Sequence, residues 1–169
     1  MLINKTYNKG PGPSSTAPAI SAAPRTAQSS QGDAKELSDR AVKWEKEGEY
    51  VQAISCYLKI TPDMTSDRKR LEASWLRAVT LGSKFLPQKK EQISEVVAEK
   101  LMGIERYTAA ARVLIENQKI KEAIECLISG NEWNKAKKLA KEMEPGLLRK
   151  VEEAYRRHLK EKGNADEVS

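Results

Sequence analysis

The sequence predicts an all-α fold, a solenoid of antiparallel helical hairpins behind a disordered N-terminal leader. Three observations predict it. A large residue followed three positions later by alanine recurs at Tyr50/Ala53, Tyr107/Ala110, Ile120/Ala123 and Trp133/Ala136. The last three copies, starting at Tyr107, Ile120 and Trp133, follow at intervals of 13 residues, the length of a short helix and a tight turn. The apolar positions also coincide between copies: Tyr50, Ala53, Ile54, Tyr57 and Leu58 match Tyr107, Ala110, Ala111, Leu114 and Ile115, then Ile120, Ala123, Ile124, Leu127 and Ile128. Offsets of 0, 3, 4, 7 and 8 form the stripe of a core-facing helix. One such helix cannot bury its stripe alone, so successive helices must stack into a continuous array.

The elements follow in order. Residues 1–33 form a Pro/Ser/Ala-rich leader that includes Pro11, Pro13, Pro18 and Pro24, and too little bulky apolar surface is present there to offset the entropy of ordering. The repeat domain spans residues 34–162. Its first helix starts near Asp33 or Ala34, carries Leu37, Ala41 and Trp44 on one face, and stops at Gly48, a residue suited to a left-handed helix end. The second runs from Glu49 to about Ile60, before Pro62. A third begins after Thr65 or Ser66, shows Leu71, Trp75, Ala78, Val79, Phe85 and Leu86, and is closed by Pro87. The fourth, about Gln88 to Met102, directs Ile93, Val96, Val97 and Leu101 to the core before Gly103.

Three short helices come next, at about Glu105 to Glu116, Lys119 to Ser129 and Glu132 to Met143, with Asn117 and Gly130 supplying the turns. The last of them buries Trp133, Ala136, Ala140 and Met143. A final helix starts at Pro145 and carries Leu148, Val151, Tyr155 and Leu159; its end from Lys160 should fray into a polar tail, residues 163–169. The alanines at offset three let helix backbones approach closely, while the large residue that opens each copy fills the gap at a helix end. Trp44, Trp75 and Trp133 are in phase with their apolar faces and are expected in the core.

Composition narrows the chemistry. The chain has 169 residues, 32% of them charged, one phenylalanine and a net charge of +6, with both signs interspersed along the helices. Such a mixed surface is that of solvated helices. Cys56 and Cys126 sit six residues after Tyr50 and Ile120, in equivalent places, and have no disulfide or zinc spacing; reduced thiols in core packing point to an intracellular setting. No apolar run matches a signal peptide or a membrane span.

No catalytic, cofactor-binding or metal-binding residue is assigned. His158 is the only histidine and has no second ligand or nucleophile near it in sequence; no glycine-rich phosphate loop exists, and Glu36/Asp39 and Glu152/Glu153 fall on solvent-facing positions. The strongest charged feature is Lys135, Lys137, Lys138 and Lys141, a stripe extended by Arg149, Arg156 and Arg157. Amphipathicity alone accounts for it, and a docking stripe for an acidic partner is the functional alternative. Nucleic-acid binding is not expected, because recognisable modules and exposed stacking aromatics are missing.

Gly48-Glu49-Tyr50 through Ala53-Ile54 and Tyr57-Leu58 resembles the second helix of a tetratricopeptide repeat, with later spacing tighter than that family's hairpin. Tyr107 to Ala111, Lys121-Glu122-Ala123-Ile124 and the helix Glu132-Trp133-Asn134-Lys135-Ala136-Lys137-Lys138-Leu139-Ala140-Lys141-Glu142 resemble the C-terminal TPR-like helical-repeat region of intraflagellar transport subunits, the 172-kilodalton peripheral class of the B complex. The resemblance runs from about Leu37 to the end and includes Trp75 to Pro87. It implies a non-enzymatic, protein-binding scaffold segment that supports ciliary assembly and cargo-train movement, with other transport subunits as partners and a place in the cytoplasm, the cilium and its basal body. The chain departs from that family in showing no WD40 propeller before the repeats and in opening on the Pro/Ser/Ala tract, so an isoform, a fragment or a partial gene model is expected. Uncapped end helices leave room for self-association. A generic TPR adaptor of chaperone or vesicle-trafficking complexes is the competing reading.

Overall fold

The computed structural model describes residues 27–168. Eight helices follow one another: α1 (Ala27–Lys46), α2 (Tyr50–Leu58), α3 (Arg68–Phe85), α4 (Lys90–Gly103), α5 (Tyr107–Glu116), α6 (Ile120–Ser129), α7 (Trp133–Met143) and α8 (Leu148–Val168). Short 3-10 turns, Pro87–Lys89 and Pro145–Leu147, lead into α4 and α8. No strand occurs among the described residues, which meets the all-α expectation. Each helix packs chiefly on its neighbours in the chain, and α6 also touches α8.

Two boundaries differ from those expected. α1 is helical from Ala27, ahead of Asp33, because no proline lies between Pro24 and the helix; the rest of the expected leader, residues 1–26, lies outside the described residues. α8 stays helical through Val168 instead of fraying from Lys160, since Lys160, Glu161 and Lys162 are strong helix formers.

The turns repeat as faithfully as the helices. Gly48, Glu105, Gln118 and Asn131 have φ of 77°, 64°, 62° and 59°, and each stands two residues before a helix that opens on Tyr50, Tyr107, Ile120 or Trp133. At each turn two amides reach back to orphan carbonyls: Gly48 and Glu49 N–H donate to Glu45 and Trp44 O, Glu105 and Arg106 to Met102 and Leu101, Gln118 and Lys119 to Ile115 and Leu114, and Asn131 and Glu132 to Ile128 and Leu127. This is the Schellman arrangement, closed by a left-handed residue. Asn117 and Gly130, expected to make the turns, have φ of −103° and −90° and do not. The left-handed residue is one position further on.

Gly130 has a different purpose. A Cβ there would lie 2.5 Å from Cγ and 2.6 Å from Cβ of Tyr107, so the missing side chain is what lets the end of α6 meet the start of α5. At the other end of the array Tyr50, the first residue of α2, stacks on Phe85, the last of α3, with ring centroids 3.7 Å apart. In both cases the residue that opens a helix seats against the end of the next, antiparallel helix.

Ala53, Ala110, Ala123 and Ala136 are fully buried along the helix contacts. Trp75 is buried, and its indole N–H donates to Ile60 O at 3.0 Å, tying α3 to the end of the α2 segment. Trp44, Tyr50, Tyr107 and Ile120 pack against the core while remaining half-buried, whereas Trp133, expected in the core, is half-buried against Tyr155 and His158 of α8 instead. Val96, Phe85, Met143 and Leu159, read above as inward-facing, are exposed. Val96 and Met143 fall at the margins of their stripes, and at this level of α8 it is His158, one residue before Leu159, that packs on α7.

A polar contact joins three helices. The Tyr57 hydroxyl of α2 donates to Glu45 Oε2 of α1 at 2.6 Å, and Arg77 Nε of α3 donates to Glu45 Oε1 at 3.2 Å. Hydrogen bonding from Arg77 holds the Glu45 carboxyl below the usual carboxylate range, while burial and then Glu45 push the Tyr57 hydroxyl up, so it stays a donor.

Candidate partner-binding surface

Because α5 and α7 both pack on α6, they flank it on one side, and the faces they turn toward each other are set by helical phase. Thr108, Ala111, Arg112 and Ile115 come from α5 at spacings of 0, 3, 4 and 7; Lys135, Lys138, Leu139 and Glu142 come from α7 at the same spacings. Together with Leu127 of α6 they line a groove of about 240 Å³. Ala111 and Leu127 are buried at its floor, with Ile115 and Leu139 half-buried beside them. The rim carries Arg112, Lys135, Lys138 and Glu142, all exposed.

Lys135 is held at the mouth, its Nζ 3.0 Å from Thr108 Oγ1 and 3.8 Å from Glu132 Oε1. Arg112 and Lys138 are each five residues past the opening residue of their copy. No ion pair engages either of them among the described residues. Thr108 and Arg112 also line a polar cleft of about 470 Å³ that continues past Gly130 to Arg106, whose Nε lies 3.6 Å from Glu72 Oε1.

The opposite side, where α4 and α6 are neighbours of α5, has the other sign. Glu95, Glu99, Glu122 and Glu125 line a groove of about 400 Å³ there. Lys119 is drawn to Glu91 at 2.6 Å and to Glu95 at 3.8 Å, which holds Glu91 below its ordinary range and raises Lys119. Alternate helices therefore expose opposite charge on opposite sides of the array.

Of the seven cations singled out in the sequence, Lys135 and Lys138 reach the α5/α7 groove. Lys137 lies over the Tyr155 ring, Nζ 4.3 Å from its centroid, where it joins α7 to α8, and Lys141 is one turn further along that side. Arg149, Arg156 and Arg157 are exposed on α8, away from the groove lining. Arg112 escaped the sequence reading, and Ile115 and Leu139 appeared in it only as repeat positions, not as part of a site. The equivalence of Arg112 and Lys138 at offset five was a signal for them, but it identifies a site only when α5 and α7 are known to share a side.

His158 packs on the Trp133 ring at 5.3 Å, next to Tyr155. Cys126 Sγ–H donates to Tyr107 O at 3.4 Å, and burial pushes this thiol up to about 11, far from a reactive thiolate at neutral pH. Among the described residues no group of His, Cys, Asp and Glu is placed to hold a metal ion, and no helix is long and apolar enough to cross a membrane.

No protein-family model matches the chain. Among curated proteins it is 39% identical over 133 residues to the intraflagellar transport protein 172 homolog of Mus musculus, and 38% identical over 131 residues to that of Homo sapiens. Intraflagellar transport protein 172 of Chlamydomonas reinhardtii is 29% identical over 131 residues. These matches take in 77 to 78% of the chain, whereas the chain spans only 7 to 8% of the relatives' length.

Proposed function

The repeat region of this chain is a homologue of one segment of the intraflagellar transport protein 172 family, and from that premise we propose that it is a protein-binding scaffold segment of the intraflagellar transport machinery. The observation that carries this reading is the extent of the similarity. The 133 matched residues nearly equal the span of the helical array, so what the chain has in common with its relatives is a stack of helices. A stack of this kind contacts only its neighbours internally and leaves its long sides free for other proteins. Its partners are other transport subunits, those of the B complex first, and its place is the cilium and the basal body. The exposed Val42 and Val51 at one end and Met143 and Leu159 at the other are surfaces through which flanking helices or further copies extend the array.

An epitope-tagged full chain expressed in ciliated cells tests this. Co-purification of B-complex subunits, together with enrichment of the tag along cilia, is the expected result. Recovery of chaperones without any transport subunit, from a tag spread evenly through the cell, contradicts it.

A further inference from the structure

We propose that the groove between α5 and α7 docks an acidic segment of a partner protein, one leucine- or phenylalanine-sized side chain entering the recess while carboxylates on either side of it engage Arg112 and Lys138. The proposal rests on the protein-binding reading above but not on the transport assignment.

The recess and its rim point to the same ligand. At about 240 Å³ the groove has room for a large apolar side chain, since an apolar cavity of about 150 Å³ already accepts benzene. Its floor is Ala111 and Leu127 with Ile115 and Leu139 beside them, and none of these side chains offers a polar atom to a polar ligand group. The rim sets three cations, Arg112, Lys135 and Lys138, against one carboxylate, Glu142. Solvation of a helix face accounts for exposed lysines, yet it does not place an aliphatic recess between two cations that have no ion pair among the described residues. Those cations come from separate helices and occupy the same place in two copies of the repeat, so they bracket the recess from both sides.

Charge also fixes which side of the array is used. The α4/α6 side sets Glu95, Glu99, Glu122 and Glu125 against one lining cation, Lys119, so charge complementarity favours the α5/α7 face for the same ligand. The aliphatic floor disfavours single-stranded nucleic acid, whose bases seek aromatic rings to stack on.

A peptide library displayed on phage, selected against the purified full chain, identifies the probe. The enriched peptide is then synthesised with a fluorophore and titrated by anisotropy into wild-type chain, an R112E/K138E variant and an R156E/R157E control on α8. Enriched sequences should share one large apolar residue flanked by Asp or Glu. The R112E/K138E pair should weaken binding by about tenfold or more, with the control within about twofold of wild type. Affinity should fall as salt rises. Each variant is checked for an unchanged thermal melt; if R112E/K138E is unstable, R112Q/K138Q takes its place with a smaller loss expected. Selection of basic or featureless peptides overturns the proposal. So does equal weakening by both double variants, an apolar-to-alanine peptide that binds as well as its parent, or duplex DNA that displaces the peptide at matched charge. None of these results bears on co-purification from ciliated cells, so each reading can fail while the other stands.

Discussion

Replacing Gly130 with alanine tests the seat between the start of α5 and the end of α6. The new Cβ would lie 2.5 to 2.6 Å from Cγ, Cβ and Cδ2 of Tyr107, where carbon atoms prefer about 3.5 to 4.0 Å. Those atoms are the base of the side chain and not its free tip, so relief requires the α5 and α6 backbones to separate by about 1 Å. Overpacking of this kind costs about 1 to 3 kcal/mol. Gly130 has φ of −90°, so alanine meets no backbone strain there and regains roughly 0.4 to 1 kcal/mol through the unfolded chain. The net expectation is a loss of about 1 to 2 kcal/mol, or a melting temperature lower by roughly 3 to 8 °C. Urea denaturation and thermal melting followed by circular dichroism measure it. Gly103→Ala is the internal control, because nothing lies within 4 Å of a Cβ at that position. In a Tyr107→Gly background, which removes all three of those atoms, the cost of Gly130→Ala should shrink by at least about 0.5 kcal/mol. A Gly130→Ala protein as stable as wild type, or a cost unchanged by trimming Tyr107, refutes the packing argument.

Four further expectations follow from the same contacts. Gln118→Gly relieves a left-handed non-glycine residue at φ 62° and should stabilise by about 0.5 to 1 kcal/mol in urea, and a destabilised variant would contradict the Schellman reading. Trp75→Ala should cost about 3 to 5 kcal/mol, and half-buried Trp133→Ala, which leaves Tyr155 and His158 uncovered, roughly half of that; equal costs would show that Trp133 bears more of the core than its exposure indicates. Ser94→Ala removes a buried hydroxyl that has no hydrogen-bond partner among the described residues and should raise stability by about 1 kcal/mol, whereas a loss would reveal a partner for Oγ. Glu45 has its folded pKa depressed by Arg77, so its contribution, on the order of 1 kcal/mol after screening at the exposed arginine, is fully present above about pH 4.5 and is lost as pH falls through the folded value; Glu45→Gln should flatten this part of the stability-versus-pH curve, and a curve of unchanged slope would remove Glu45 from the account.

Much of the architecture was legible because the repeat is written in residue size. The offset-three alanines and the apolar stripes follow directly from helical phase, and the extent of the array follows from their recurrence. The turns were harder to read. Glu105 and Gln118 are poor left-handed formers, so attention falls on Asn117 and Gly130 instead, and the true purpose of Gly130 appears only once Tyr107 is seen against it. Val96 and Met143 show the ordinary limit of a stripe, whose margins depend on how far the next helix covers them. The basic stripe on α7 was visible as composition, yet its division was not: Lys137 goes to the Tyr155 ring and Lys135 to Thr108, because α7 has a different neighbour on each side. The groove itself is made by residues about two repeats apart, Arg112 and Lys138, and only three-dimensional stacking brings them to one rim.

Side-by-side seating of the repeat copies is what every other inference depends on, and nuclear Overhauser spectroscopy of the full chain observes it most directly. Strong cross-peaks between the Tyr107 side chain and the Gly130 α-protons, and between the Tyr50 and Phe85 rings, are predicted by contacts this close. A folded, helical protein in which both sets are missing would mean that the helices do not stack in this register, and the groove built on that register would fall with it.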